Sequence, residues 1–352
     1  MVESGTFSNL WRSAYRKKKY LRLLIIVDAL IIAVLLIDHR TFNLRTLRQT
    51  PTMKNATSYS QQTAAPRSIY GWKILTACNK SSLRILFIVY TTPTDIQKRR
   101  WLRKTIGDPY LQSSVNSSIL FFVGSSTDAR QQRVLESEAV REGDIVVLNI
   151  TEDRHNLSLK FLLGARWILE YCSPDSATIV KIDADILVNV YALSSYVNSN
   201  VMWLTGIHCV VYKNIAPVRK RTSEWYVSKD DYTLEVYPNY CAGDAYFMKP
   251  ALLSAIVDAA VLVPYFWIED VYVTGIVGDF ANVNLVDISG HVILSKPRNL
   301  LRVSATTLFV NTRLARLSDN RKSSLWKDIL QRNKSMQREY RKNVEVYYRS
   351  VG

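Results

Sequence analysis

Two carboxylates one residue apart, Asp183 and Asp185, close the apolar run from Thr178 to Ile182 in the stretch Lys181-Ile182-Asp183-Ala184-Asp185. Paired acids at a strand end suit a hard divalent cation, which takes oxygen ligands. Such a cation can bridge the phosphates of a nucleotide-sugar and stabilise a departing diphosphate. The plainer reading is two acids in a surface turn, and the strand before them weighs against it. A second acidic pair, Glu269-Asp270, follows Pro264-Tyr265-Phe266-Trp267-Ile268. A carboxylate among large apolar residues gains proton affinity, as a general base requires. The same pair also suits a helix N-terminus ahead of Val271-Tyr272-Val273. The third cluster, Tyr237 to Tyr246, offers aromatics with Pro238 and Gly243. It reads as a sugar-stacking wall or, more simply, as a packed turn in the core.

Alternating elements must position these groups. Leu83 to Tyr90, Ile119 to Val123, Ile145 to Ile150 and Thr178 to Ile182 read as strands. Thr94-Asp95 opens a helix through Lys104, Thr127-Asp128 caps one through Arg141, and Leu157 to Tyr171 is amphipathic. Strands alternating with helices at this spacing predict an α/β fold, with a mostly parallel sheet and helices on both faces. Ligands of such sheets bind at the carboxyl ends of the strands, where Asp183 and Asp185 fall. Beyond residue 310 the chain is basic, with Trp326, Ile329 and Leu330 at helical spacing.

The net charge of the 352 residues, +16, invites a nucleic-acid reading, and its distribution argues against one. Residues 1–50 carry +6 and residues 296–352 carry +10, so the middle of the chain is neutral. Nucleic acid is therefore not an expected partner. Arg16 to Arg22 form a basic cluster ahead of an apolar run, and Tyr20 to Ile37 is about 27 Å long as a helix. No small-residue cleavage site follows, so the run reads as a retained signal anchor with its basic flank in the cytosol. Six N-x-[ST] sequons and all four cysteines lie after it, consistent with a lumenal domain and two disulfides of open pairing. The cysteines lack zinc-type spacing. No G-x-G-x-x-G, G-x-x-x-x-G-K-[ST] or G-x-S-x-G pattern occurs, so dinucleotide, P-loop and serine-hydrolase signatures are missing. The expected organisation is a cytoplasmic tail (1–19), an anchor (20–37), a stem (38–71), a catalytic domain (72–310) and a basic C-terminal segment (311–352).

In order along the chain, the motifs resemble those of glycosyltransferase family 31, the beta-1,3-galactosyltransferase and N-acetylglucosaminyltransferase group. Arg99 to Thr105 is similar to that family's R-x-x-I-R-x-T-W helix, and Phe121 to Gly124 to its F-L-L-G strand. Asp144-Ile145-Val146, Asn156 to Lys160 and Trp167 to Cys172 are similar to its D-I-I, N-L-T-L-K and W…C pieces. Lys181 to Asn189 resembles K-x-D-D-D-x-F-V-N, Tyr237 to Met248 resembles Y-P-x-Y-x-x-G-x-G-Y, and Glu269 to Val273 resembles E-D-V-Y-x-G.

The resemblance implies a GT-A fold behind a type II Golgi membrane anchor. It implies inverting transfer of galactose or an N-acetylhexosamine from a UDP-sugar to a glycan acceptor on protein or lipid, with Mn2+ as the usual metal. On that reading Asp183 lies near the ribose and shares the metal site with Asp185, its ligand. Lys181, Arg103 and Thr105 stand near the nucleotide. Asp270 is the general base and Glu269 positions acceptor or base. Ala184 stands for the middle Asp, Asp244 and Ala245 stand around the position of the second Gly of the glycine-rich motif, and Thr274 stands for a Gly. These departures leave a silent glycan- or nucleotide-sugar-binding member as the alternative. His291 is the candidate for the family's later metal-contacting His.

Overall fold

Strand β1 (Ile85–Thr91) is an apolar run buried on both faces, because each face of the sheet carries its own core. Successive side chains of a strand point to opposite sides, so Leu86 and Ile88 enter one core while Ile85, Phe87 and Val89 enter the other. The computed structural model describes Cys78 and residues 82–172, 177–199, 205–294 and 303–333.

Around β1 stand β2 (Ser117–Ser125), β3 (Ile145–Thr151), β4 (Thr178–Asp183), β6 (Ile207–Tyr212), β7 (Tyr240–Met248) and β8 (Leu285–Asp287), in the order β3-β2-β1-β4-β7-β6-β8. The β1–β2, β2–β3, β1–β4 and β6–β8 pairs are parallel, and β7 is antiparallel to both β4 and β6. The sheet is thus mostly parallel with one reversed strand, as expected. A smaller sheet, β5 (Ile186–Val188), β10 (Phe309–Asn311) and β9 (Val292–Ile293), continues beyond β4.

Helices α4 (Leu157–Tyr171) and α6 (Pro250–Ala260) cover one face; α1 (Ile96–Arg103), α2 (Pro109–Val115), α3 (Ala129–Glu142) and α5 (Val190–Ser199) cover the other. The expected strands and helices between residues 83 and 182 are all present. The short α2 is an addition, signalled by Asp108-Pro109: the Asp108 carboxylate accepts from Leu111 N at 3.0 Å and Pro109 opens the first turn. The cap of α3 is as expected, with Asp128 accepting from Arg130 N and Gln131 N.

Two boundaries differ from the sequence expectation. The Tyr237–Tyr246 cluster is not mainly a turn: from Tyr240 it is strand β7, with Tyr240 and Tyr246 buried. The boundary set at residue 310 falls inside β10, and residues 319–333 form a helix that buries Leu325, Trp326 and Ile329 in the same core. Cys78 pairs with Cys172, and Cys209 pairs with Cys241 across β6 and β7. No helix among the described residues is long and apolar enough to cross a membrane. The expected tail, anchor and stem, residues 1–71, lie outside the described residues.

Candidate active site

Strand ends, the start of reversed β7 and the turn before residue 271 meet around a cavity of about 560 Å³. It is lined by Lys181, Asp183 and Asp185 from β4 and its turn, Gly243 and Asp244 from β7, and Glu269 and Asp270. Both acidic pairs singled out in the sequence therefore share one cleft.

Lys181 is its buried centre. Its Nζ donates to Asp183 Oδ1 at 2.9 Å and to the Gly243 carbonyl, and lies 3.4 Å from Glu269 Oε2. Burial alone would lower its proton affinity; Asp183 and Glu269 outweigh burial and hold the ammonium charged. Glu269 also accepts from Tyr246 Oη at 2.6 Å, which fixes both carboxylate oxygens.

Asp270 stands at the N-terminus of a π-helical turn, Val271–Val277, and its Oδ1 accepts from Val271 N at 2.9 Å. Helix start and apolar setting thus hold together. Burial, then the neighbouring Glu269 charge, push the Asp270 carboxyl up to about 7. A Cβ on Gly243 would sit 3.2 Å from Asp270 Cβ and 3.3 Å from Oδ2, so glycine there lets β7 press against the acid.

Thr274, the residue departing from the family glycine, bridges the same elements. Its hydroxyl donates to the Asp270 carbonyl at 2.6 Å and accepts from Cys241 N at 2.9 Å, fully buried. Thr274→Val keeps the shape and leaves the buried Cys241 N–H unpaired, which costs about 1–3 kcal/mol. The expected result is a lowered unfolding midpoint and a several-fold loss of kcat, with Thr274→Ser retaining most of both. Thermal melts and initial rates on the two variants check this.

On the opposite wall Asp185 Oδ2 accepts from Lys98 Nζ at 3.2 Å, and its carbonyl takes two hydrogen bonds from Thr312. Asp183 is 41% exposed at its side chain. Asp244 faces the same space, its carboxyl raised by burial and by Asp183. Among the described residues no three His, Cys, Asp or Glu side chains converge as a metal cluster. The donor set is instead two hard carboxylates beside open cleft, which fits a cation that takes the rest of its shell from water and substrate phosphates.

Arg103 and Thr105, expected near the nucleotide, are not among the cleft-lining residues. Arg103 forks onto Asp144 at 2.7 and 2.8 Å and reaches Glu138 Oε1 at 2.8 Å. Thr105 is buried and bonds back to Trp101 and Leu102 carbonyls. His291 also lies outside the lining, with Nδ1 against the Thr306 carbonyl at 2.9 Å and its ring beside Tyr196. The sequence reading missed Glu152, which meets the buried Lys160 Nζ at 2.7 Å on the cleft wall. A lysine inside the apolar stretch of α4 was the available signal, since such a charge requires a partner.

A mostly parallel α/β sheet with spaced carboxylates at a strand end and a buried acid across the cleft has the makings of a group-transfer enzyme. Comparison with known proteins makes the class specific: residues 97–289 match the family model described as Galactosyltransferase, and the chain belongs to that family. It is a glycosyltransferase. Human "Beta-1,3-galactosyltransferase 5" is 27% identical over 216 residues, covering 60% of this chain and 68% of that protein. Mouse "Beta-1,3-galactosyltransferase 1" is 29% identical over 201 residues, covering 56% of this chain and 60% of that protein. A solved 4-diphosphocytidyl-2C-methyl-D-erythritol synthase covers 71% of this chain and all of its own at 12% identity, with a TM-score of 0.36, too loose a likeness to bear on function.

Proposed function

We propose that this enzyme moves galactose from UDP-galactose to a hydroxyl of an acceptor glycan, with inversion, forming a β-1,3 linkage. The observation that carries the reading is Asp270: a buried carboxyl of raised proton affinity in the same cleft as Asp183 and Asp185. Its ionised form takes the acceptor hydroxyl's proton while the hydroxyl oxygen bonds to the anomeric carbon. The bond from that carbon to the diphosphate breaks and UDP leaves with the electron pair. One displacement on one face inverts the anomeric centre. Glu269, fixed by Tyr246 and Lys181, keeps the Asp270 backbone in place and raises its basicity. Lys181 holds Asp183 toward the donor.

Asp183 and Asp185 are the residues that would hold Mn2+, which when bound neutralises the donor diphosphate. The relatives' names and the family support galactose and the β-1,3 linkage. The sheet order with reversed β7 supports a GT-A-like fold. The apolar run 20–37, its basic flank and the sequons support a type II Golgi membrane protein with the catalytic domain in the lumen.

The test supplies the full-length chain with Mn2+, each UDP-sugar and a panel of glycans, reading released UDP. Acceptor-dependent release from UDP-galactose alone, reduced at least about a hundredfold in Asp185→Asn, is the expected result. Release from a different UDP-hexose only, or a product linked elsewhere than at the 3-position, overturns the donor or the linkage. UDP binding without release from any pair favours a silent member.

A further inference from the structure

We propose that residues 213–239 read the acceptor, and that what they read is an apolar aglycone, the hydrocarbon part of a glycolipid-type acceptor. This deepens the functional reading above and rests on it.

The segment between β6 and β7 contains neither helix nor strand, yet it is tightly held. One guanidinium, Arg219, donates to four backbone carbonyls, those of Val227, Ser228, Tyr232 and Leu234. Val227 N bonds the Val218 carbonyl and Tyr237 N bonds the Ile215 carbonyl, each at 2.9 Å. Buried Tyr232 packs on Tyr237 and Phe266. A long ordered loop without secondary structure of its own is characteristically a binding loop.

While Val227, Tyr232 and Tyr237 are buried, three of its apolar side chains face the cleft instead of the core. Ile215, Val218 and Trp225 are 38%, 41% and 39% exposed, and all three line the cavity that holds Asp270. Trp225 is braced: its ring lies parallel to Trp267 at 5.9 Å, with the Arg154 guanidinium 4.6 Å over it, and Arg154 pairs with Glu224 at 2.8 Å. The opposite, β4 side of the cavity is built from Lys98, Asp183 and Asp185, the donor half of the proposed mechanism. Ile215, Ala216 and Val218 have no side-chain group that pairs a sugar hydroxyl, so a wholly polar acceptor leaves this wall in water or strips its own hydroxyls of partners. An apolar group continuous with the acceptor sugar covers the wall and gains by the burial. Continuity of the wall with the Asp270 cavity is what assigns it to the acceptor rather than to a separate partner.

The test uses the full-length chain in phospholipid nanodiscs with matched methyl and octyl β-glycosides of galactose, N-acetylglucosamine and N-acetylgalactosamine, and a Thr-linked glycopeptide. On the accepted sugar, kcat/KM is expected to be at least tenfold higher for the octyl than for the methyl glycoside. Trp225→Ala and Val218→Ser each bring that ratio below threefold, with melting curves confirming that both variants fold. Leu262→Ser, at an exposed apolar position outside the cleft, leaves the ratio unchanged and controls for partitioning into the bilayer. A ratio near one in the wild type, a ratio unaltered in both variants, or a preference for the glycopeptide overturns the inference. No transfer from any UDP-sugar to any acceptor overturns the functional reading itself.

Discussion

Asp270→Asn is expected to lower kcat/KM by about 10²–10⁴, the span a positioned general base contributes, while making the protein more stable at alkaline pH. The two effects share one cause. Burial and Glu269 raise the Asp270 carboxyl from 3.8 to about 7. Wild-type kcat/KM therefore climbs as pH rises through about 7 and the base ionises, and the variant lacks that limb. For stability the sign follows from proton uptake. Between 3.8 and 7 the folded protein keeps a proton that the unfolded chain has released. Wild-type stability then declines as pH rises across this window. Asparagine carries no proton to lose, so the variant matches the wild type near pH 4 and melts higher at pH 8. A variant equally active, or a melting difference independent of pH, would dismiss the assignment.

The largest stability loss is expected at Arg99, which lies behind the cleft lining and does not itself face the cavity. Its side chain is fully buried, meeting Glu138 at 2.7 and 3.1 Å and reaching Thr91 Oγ1 and the Thr92 and Pro93 carbonyls. Arg99→Met keeps volume and removes the charge, leaving buried acceptors unpaired. Breaking such a pair costs about 3–5 kcal/mol, a fall in Tm on the order of 10 °C. Arg99→Lys restores charge without the planar fork and is expected to recover only part of it. Burial alone would lift the Glu138 carboxyl, and Arg99 with Arg103 holds it below its ordinary 4.5 instead. That stabilisation is present above 4.5 and lost as pH falls, so the deficit of the Met variant narrows in acid. Because Thr91 and Thr92 line the cleft, donor KM should rise as well.

Arg99 also shows where sequence reading reaches its limit. The strand and helix pattern from residue 83 to 182 was legible because parallel strands are continuous apolar runs, Asp128 caps α3 and α4 is amphipathic. The acidic pairs were legible because carboxylates next to apolar runs are unusual. What periodicity does not carry is which motif residue faces the cleft. Arg103 and Thr105 belong to the motif helix, but Arg103 turns to Asp144 and Glu138, so two motif pieces distant in sequence meet as a fold contact. Lys181 was legible as a motif member, while its three-way contact needed β7 to arrive from residue 243, a long-range pairing that local pattern does not encode. β7 itself was obscured by Pro238 just before it and by Gly243 and Asp244 within it, which mimic a turn. The Thr274 bridge had no sequence signal beyond its departure from a glycine.

The Cys209–Cys241 bridge closes a ring of chain that contains all of residues 213–239. Its two ends are therefore welded to neighbouring strands of the sheet, whatever lies between them. Lengthening a closed loop costs little, roughly 0.6 kcal/mol for each doubling, so exposed stretches of the bracketed segment can be extended with small penalty, while Val227, Tyr232 and Tyr237 stay buried in the core. On the proposed assignment, donor handling belongs to the parallel strands, and an insert anchored at both ends sits beside Asp270. On that assignment, changing the exposed side chains of the insert alters what the enzyme glycosylates and leaves unchanged how it glycosylates.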